Sequence, residues 1–208
     1  KNLPIVPITD LKIKENSLIV ATQGRSIWIL DDLTVLHQMQ SKKDDVETIL
    51  YKPRQSYRTK GRGGESSLTA GTNLPNGVIV HYYLKKFDSK KDKVELQFKS
   101  NDGELIKTFS SEDKKNKLNI KEGGNSFVWD TRYEGAEKLE GMIFWSASFS
   151  GAKAVPGSYS VSLLINGEEK VQKFDILADP RSESSVQEMQ KQFDFVNEVN
   201  QTVDIAHK

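Results

Sequence analysis

Three histidines, His37, His81 and His207, are the first place to look for metal or acid–base chemistry in this sequence. They fall on different expected elements, and no two share the spacing that brings a pair of imidazoles to one metal ion. The chain contains no Gly-x-Ser-x-Gly elbow and no His-Glu-x-x-His run, so neither a hydrolase nucleophile nor a zinc-protease helix is expected. Carboxylates are paired by neighbourhood at Asp31-Asp32, Asp44-Asp45 and Glu168-Glu169. Glycoside hydrolysis needs two carboxylates facing each other across a cleft, which neighbours on one strand cannot supply. Asp31-Asp32 closes a strand, where turn hydrogen bonds are the expected use. Arg54, Arg58, Lys60 and Arg62 make one stretch locally basic, but Gly61-Arg62-Gly63-Gly64 lacks the flanking strand and helix of a phosphate loop. No catalytic, cofactor-binding or metal-binding residue is assigned, and no cofactor is expected.

The side chains that remain with binding potential are aromatic. Between Trp129 and Pro156 lies a long segment containing Gly141-Met142-Ile143-Phe144-Trp145 and, further on, Phe149. A loop this apolar must dock against something or bind something. Phe144, Trp145 and Phe149 are therefore the candidate ligand or partner surface. Either they cap the fold and pack on a neighbouring domain, or Trp145 stacks on a sugar face, with Trp28 as a further platform.

Bulk properties narrow the partners. The 208 residues carry a formal net charge of +1, which gives no concentrated basic field for nucleic acid or an anionic membrane surface. The absence of cysteine removes disulfides and thiolate metal sites. No run reaches the roughly 18 to 20 apolar residues of a membrane span. The chain begins at Lys1 inside an already patterned segment, so a piece of a longer protein is expected.

The elements that would position the aromatic loop read as mainly β. Residues 1–40 hold short strands, 10–14, 17–22 and 27–32, with hairpin-length links at Glu15-Asn16 and Gln23-Gly24. Three such strands cannot bury a core by themselves, so they look like one unit of a repeat. Residues 41–73 read as a charged, then Gly/Ser-rich linker, with Ile49-Leu50-Tyr51-Lys52-Pro53-Arg54 as a short extended docking segment. Residues 74–178 alternate with period two: Val80, Tyr82 and Leu84, then Val94, Leu96 and Phe98, then Phe127 and Trp129, then Tyr159, Val161 and Leu163. Asp102-Gly103, Pro156-Gly157 and Asn166-Gly167 mark the turns between them. About seven short strands spaced in this way suit an immunoglobulin-like β-sandwich.

Residues 179–208 read as one long amphipathic helix. It opens on the capping-box spacing of Ser185 and Glu188 and carries an apolar stripe of Val186, Met189, Phe193, Val196 and Val203. A lone helix needs a partner for such a stripe. The sandwich, a second copy of the chain, or the other half of a helical hairpin would each serve.

Two stretches resemble known families. Ala21-Thr22-Gln23-Gly24-Arg25-Ser26-Ile27-Trp28-Ile29 followed by Asp31-Asp32 resembles the closing blade of bacterial propellers of the neuraminidase-repeat and sortilin type. The order of Asn76-Gly77, Val94-x-Leu96-x-Phe98, Asp102-Gly103, Trp129-Asp130 and Gly157-x-Tyr159-x-Val161 resembles the immunoglobulin-like domain of flagellar hook-capping proteins. Together they imply the C-terminal region of a secreted or periplasmic bacterial propeller protein, in which blades upstream of Lys1 are partners. The resemblance also favours the helical hairpin for the tail. The implied function is non-catalytic: bracing or presenting the propeller, with the helix as an assembly face. The alternative is a carbohydrate-binding accessory module of a glycoside hydrolase.

Overall fold

The computed structural model describes residues 3–40, 46–59, 74–138, 141 and 148–207. Among them the chain is mainly β, with three sheets and two helices, the longer helix C-terminal. It divides into two compact units, Lys1–Val46 and Glu47–Lys208.

The first unit is an antiparallel sheet of β1 (Ile8–Lys14), β2 (Ser17–Thr22) and β3 (Ile27–Leu30), followed by α1 (Thr34–Gln40). Glu15 and Asn16 both take positive φ, 54° and 78°, which matches the right-handed twist of the hairpin they close. Asp32 accepts a hydrogen bond from the Thr34 amide at 2.9 Å, so it opens α1 as well as ending the β3 connection. The short helix was not expected. Val-Leu-His-Gln-Met-Gln has only two turns in which to show a period, and its neighbours in sequence are charged.

In the second unit one sheet has the order β5 (Ser56–Arg58), β11 (Glu168–Ala178), β10 (Gly157–Ile165), β7 (Val94–Ser100), β8 (Leu105–Ser110). The other has the order β4 (Thr48–Leu50), β6 (Val78–Leu84), β9 (Gly123–Trp129). The alternating residues read from the sequence point inward and form one shared core. Val80, Tyr82, Leu84, Val94, Leu96, Phe98, Trp129, Val161 and Leu163 are all buried in it, with Phe174 and Ile176 from β11. Phe98 stacks on Trp129 with ring centroids 4.5 Å apart and planes 25° apart, joining the two sheets across the core. Burial in this core pushes the Tyr82 phenol up to about 12. Across the same gap the Gln172 amide donates to the Leu50 carbonyl at 3.2 Å.

β4 and β5 arise from the stretch expected as a linker. β4 pairs antiparallel with β6, and β5 pairs in parallel with the end of β11. Three-residue strands are too short to show a period, so their pairing is decided by the edges available to them. Asn166 and Gly167 close the β10–β11 hairpin with positive φ at both positions. Helix α2 (Val186–Ala206) starts where the capping box lies, with the Ser185 hydroxyl accepting from the Glu188 amide and the Glu188 carboxylate accepting from the Ser185 amide. No helix among the described residues is long and apolar enough to cross a membrane.

Gly77 has φ of 128°, and a Cβ there would sit 2.1 Å from the Trp129 carbonyl oxygen. Gly77→Ala is expected to cost about 3 kcal/mol or more, since it forces β6 away from β9 beside the central tryptophan. Urea unfolding of the variant checks this.

Candidate functional site

The two ends of the apolar insertion form a neck. Residues 131–133 run antiparallel to 152–154: the Tyr133 amide donates to the Ala152 carbonyl at 2.9 Å and the Ala154 amide to the Thr131 carbonyl at 2.7 Å, with Arg132 opposite Lys153. Two glycines let the feet close. A Cβ on Gly135 would stand 1.7 Å from the Phe149 carbonyl oxygen, and one on Gly151 would stand 2.0 Å from the Tyr133 carbonyl oxygen. Backbone touches backbone there, and no side chain fits between. The Trp129 indole N–H donates to the Arg132 carbonyl at 3.1 Å, tying the neck to the core.

Thr131 is buried at φ of 62°. For a β-branched residue this is a strained backbone, costing on the order of 1–3 kcal/mol, and such strain concentrates where a turn must aim its neighbours. The neighbours are Asp130 and Arg132. Asp130 accepts from the Arg132 amide at 3.1 Å, and the Arg132 guanidinium donates from Nη1 to the Gly151 carbonyl at 2.9 Å.

Helix α2 locks the neck from outside. The Phe193 ring meets Tyr133 edge-on at 4.7 Å, the Glu137 amide donates to Asp204 at 2.7 Å, and His207 Nδ1–H donates to the Glu137 carbonyl at 2.8 Å. Tyr133 in turn hydrogen-bonds the Tyr159 hydroxyl, which donates to the Val155 carbonyl at 2.6 Å. Burial, more than any neighbouring charge, pushes the Tyr133 phenol above its ordinary range.

Three cations gather on this side of the fold. Arg58 donates from Nε to the Ala154 carbonyl at 3.1 Å and from Nη2 to Gln192 of α2 at 3.0 Å, while the Lys153 ammonium donates to the Thr59 carbonyl. Arg58 and Lys153 thus clasp each other's neighbouring backbone. Burial first, then the charges of Arg132 and Arg58, hold Lys153 below the usual ammonium range, with Asp130 acting the other way. Burial and Arg132 likewise hold Arg58 below its usual range. Among the described residues no carboxylate is within ion-pair distance of any of the three.

Of the residues singled out in the sequence, Phe144 and Trp145 lie outside the described residues, as do Asp44, Asp45 and residues 61–64. Phe149 lies at the neck, lining a cavity of about 350 Å³ and approaching the His207 ring at 6.1 Å. The helix stripe has an intramolecular use. Met189 is buried, Phe193 rests on Tyr133, and Val196 and Val203 are half-buried, whereas Val186 is exposed. Phe195, Val199 and Ile205 of α2 are also open to solvent. Among the described residues no cluster of three or more histidine, aspartate or glutamate side chains could hold a metal ion. Glu169 pairs with Lys99 at 3.0 Å and so serves the sheet surface.

Sequence reading missed Arg132, Lys153 and the glycine clamp. The only signal for the clamp was a glycine at each foot of one apolar insertion. The pairing of Arg132 with Lys153 left no pattern at all.

The first unit offers a second surface. Cross-strand pairing places Leu11, Val20 and Trp28 with Ile13, Leu18 and Leu30 on one face, and Ile19, Ile29, Ala21 and Ile27 on the other. Leu11, Ile13 and Leu30 on the first face, and Ile27 and Ile29 on the second, are each half exposed or more. Trp28 is half-buried and donates its indole N–H to the Arg25 carbonyl at 2.8 Å, so its polar edge is already engaged. A search of known proteins finds no matching family model and no matching curated relative.

Phe193→Asp is expected to undock α2 from the neck. Hydrogen exchange would then show lost protection at the Glu137 amide while β6 and β7 keep theirs. Gly151→Ala should spread the feet and lower the melting temperature by several degrees, equivalent to about 2–3 kcal/mol.

Proposed function

We propose that this chain is a non-catalytic structural and interaction region, the C-terminal part of a secreted or periplasmic bacterial propeller protein. In this reading residues 1–40 are a propeller-blade-like unit, and the two sheets of the second unit form an immunoglobulin-like sandwich. The sandwich is a mount that braces the propeller and presents the insertion between Trp129 and Pro156 to a partner. The observation that carries the reading is the two-sided apolar exposure of β1–β3. A sheet with one solvated face alternates apolar and polar residues, as β1 does with Asp10 and Lys12 on the second face, but β3 exposes Ile27 and Ile29 on that face while Leu11, Ile13 and Leu30 are exposed on the first, as in a sheet stacked between layers. The glycine-clamped neck supports the second half, since a loop on a pinned base can be presented without a large ordering cost on binding.

A second reading, a carbohydrate-binding accessory module, draws on Phe149 lining a cavity at the foot of the insertion. A glycan array separates the two: retention of a neutral glycan by the wild type that is lost in both Trp145→Ala and Phe149→Ala favours the carbohydrate module.

The stacking test uses one residue from each face. In this chain alone, Ile13→Glu and Ile29→Glu should change stability by less than about 0.5 kcal/mol, because both side chains already face water. In the protein encoded by the complete reading frame, each should lower the melting temperature of the upstream region by several degrees. Unchanged melting for both would sink the assignment, and so would turnover of any 4-nitrophenyl glycoside by this chain.

A further inference from the structure

The cavity at the neck has a charge imbalance that the interaction reading does not use. Its volume, about 350 Å³, falls within the range of small-molecule sites. Among the described residues, four cationic ones line it, Lys107, Lys115, Arg132 and Lys138, against two carboxylates, Asp130 and Glu134. Both carboxylates are engaged. Glu134 accepts from Asn116 at 2.9 Å and lies 3.9 Å from both Lys107 and Lys115, and Asp130 accepts from the Arg132 backbone. Arg132 spends one guanidinium donor, Nη1, on the Gly151 carbonyl. A guanidinium carries five N–H donors in a planar fork, so a bidentate pair suited to a carboxylate, sulfate or phosphate is left.

The position of Arg132 is built. Strained Thr131 sets its backbone, the Trp129 indole holds its carbonyl, and Gly151 anchors its side chain. Lys153, directly across the ladder, and Arg58, bonded one residue beyond it, place two more positive charges behind the same guanidinium. Like charges facing each other across a strand pair are destabilising, and an anion on the open side offsets that repulsion. A purely structural staple would need one cation on Gly151. It would not need three gathered with no carboxylate paired to any of them among the described residues.

We propose that this cavity binds an oxyanion, the carboxylate, sulfate or phosphate group of a small ligand. The Arg132 guanidinium is the fork, and Lys107, Lys115 and Lys138 surround the charge. Phe149 and Tyr133, which also line the cavity, give the ligand an apolar wall.

The experiment uses the full chain in chloride buffer at constant ionic strength, with sodium sulfate, sodium phosphate, sodium glucuronate and neutral glucose as the four probes. Thermal shift and titration calorimetry should show a saturable rise in melting temperature with at least one oxyanion and none with glucose. Arg132→Gln should weaken that binding about tenfold or more, the loss of a charged hydrogen-bonding pair. Because Arg132→Gln also gives up the Gly151 bond, Lys138→Gln serves as the second variant. Lys138 is exposed, so its replacement should leave the ligand-free melting temperature unchanged and weaken binding severalfold. Response to sulfate or phosphate without glucuronate assigns a free inorganic oxyanion, and response to glucuronate alone assigns an acidic sugar. Either supports the site. No response beyond chloride with any probe overturns it, and so does equal affinity in wild type and both variants.

Discussion

The stack of Phe98 on Trp129 is the contact on which the second unit depends, because it is made by one side chain from each sheet at the point where the insertion leaves the core. Both rings are fully buried, and Phe174 approaches each of them edge-on, at 6.4 Å from Phe98 and 6.3 Å from Trp129. An indole buried this deeply must still place its N–H. It does so on the Arg132 carbonyl, three residues further along the chain. The same residue therefore joins the sheets and sets the direction in which the neck departs.

From that point the constraints follow in order. Gly77 lets β6 approach the Trp129 carbonyl, and Thr131 accepts a strained φ to turn the chain after it. Gly135 and Gly151 allow the two feet to meet at backbone distance, and α2 fastens them through Phe193, Asp204 and His207. A loop grafted on a surface would ordinarily lose several kcal/mol of freedom when it met a partner. Here the core and the helix have already restricted its base. Of the apolar stripe on α2, Phe193 serves this task.

The cations are the counterpart of this rigidity. Arg58 comes from β5, Arg132 from one foot and Lys153 from the other, and each bonds a backbone carbonyl of a different segment. Their bonds help hold the segments in register, while their charges repel. The three positive charges therefore stand at the described feet of the insertion, with Arg132 alone of the three lining the cavity beside Phe149 and Tyr133. The first unit differs: a small sheet with exposed apolar residues on both faces, and with Asp10 and Lys12 of β1 on one of them.

The amino-acid sequence alone determined the strands that alternate with period two, because each inward position needs only an apolar residue and each turn only a residue that tolerates positive φ. Val80, Tyr82, Leu84, Leu96, Phe98 and Trp129 were legible as core for that reason, as were the hairpins at Glu15-Asn16 and Asn166-Gly167 and the capping box at Ser185. The helix stripe was legible as a stripe, but its partner was not. The tertiary structure alone decided that β4 and β5 join the sheets, that Phe193 meets Tyr133, and that Arg58, Arg132 and Lys153 converge from positions up to 95 residues apart. Periodicity is a local property carried by neighbours along the chain. Convergence is set by which edges and faces remain free once the core has closed, and no local pattern records it.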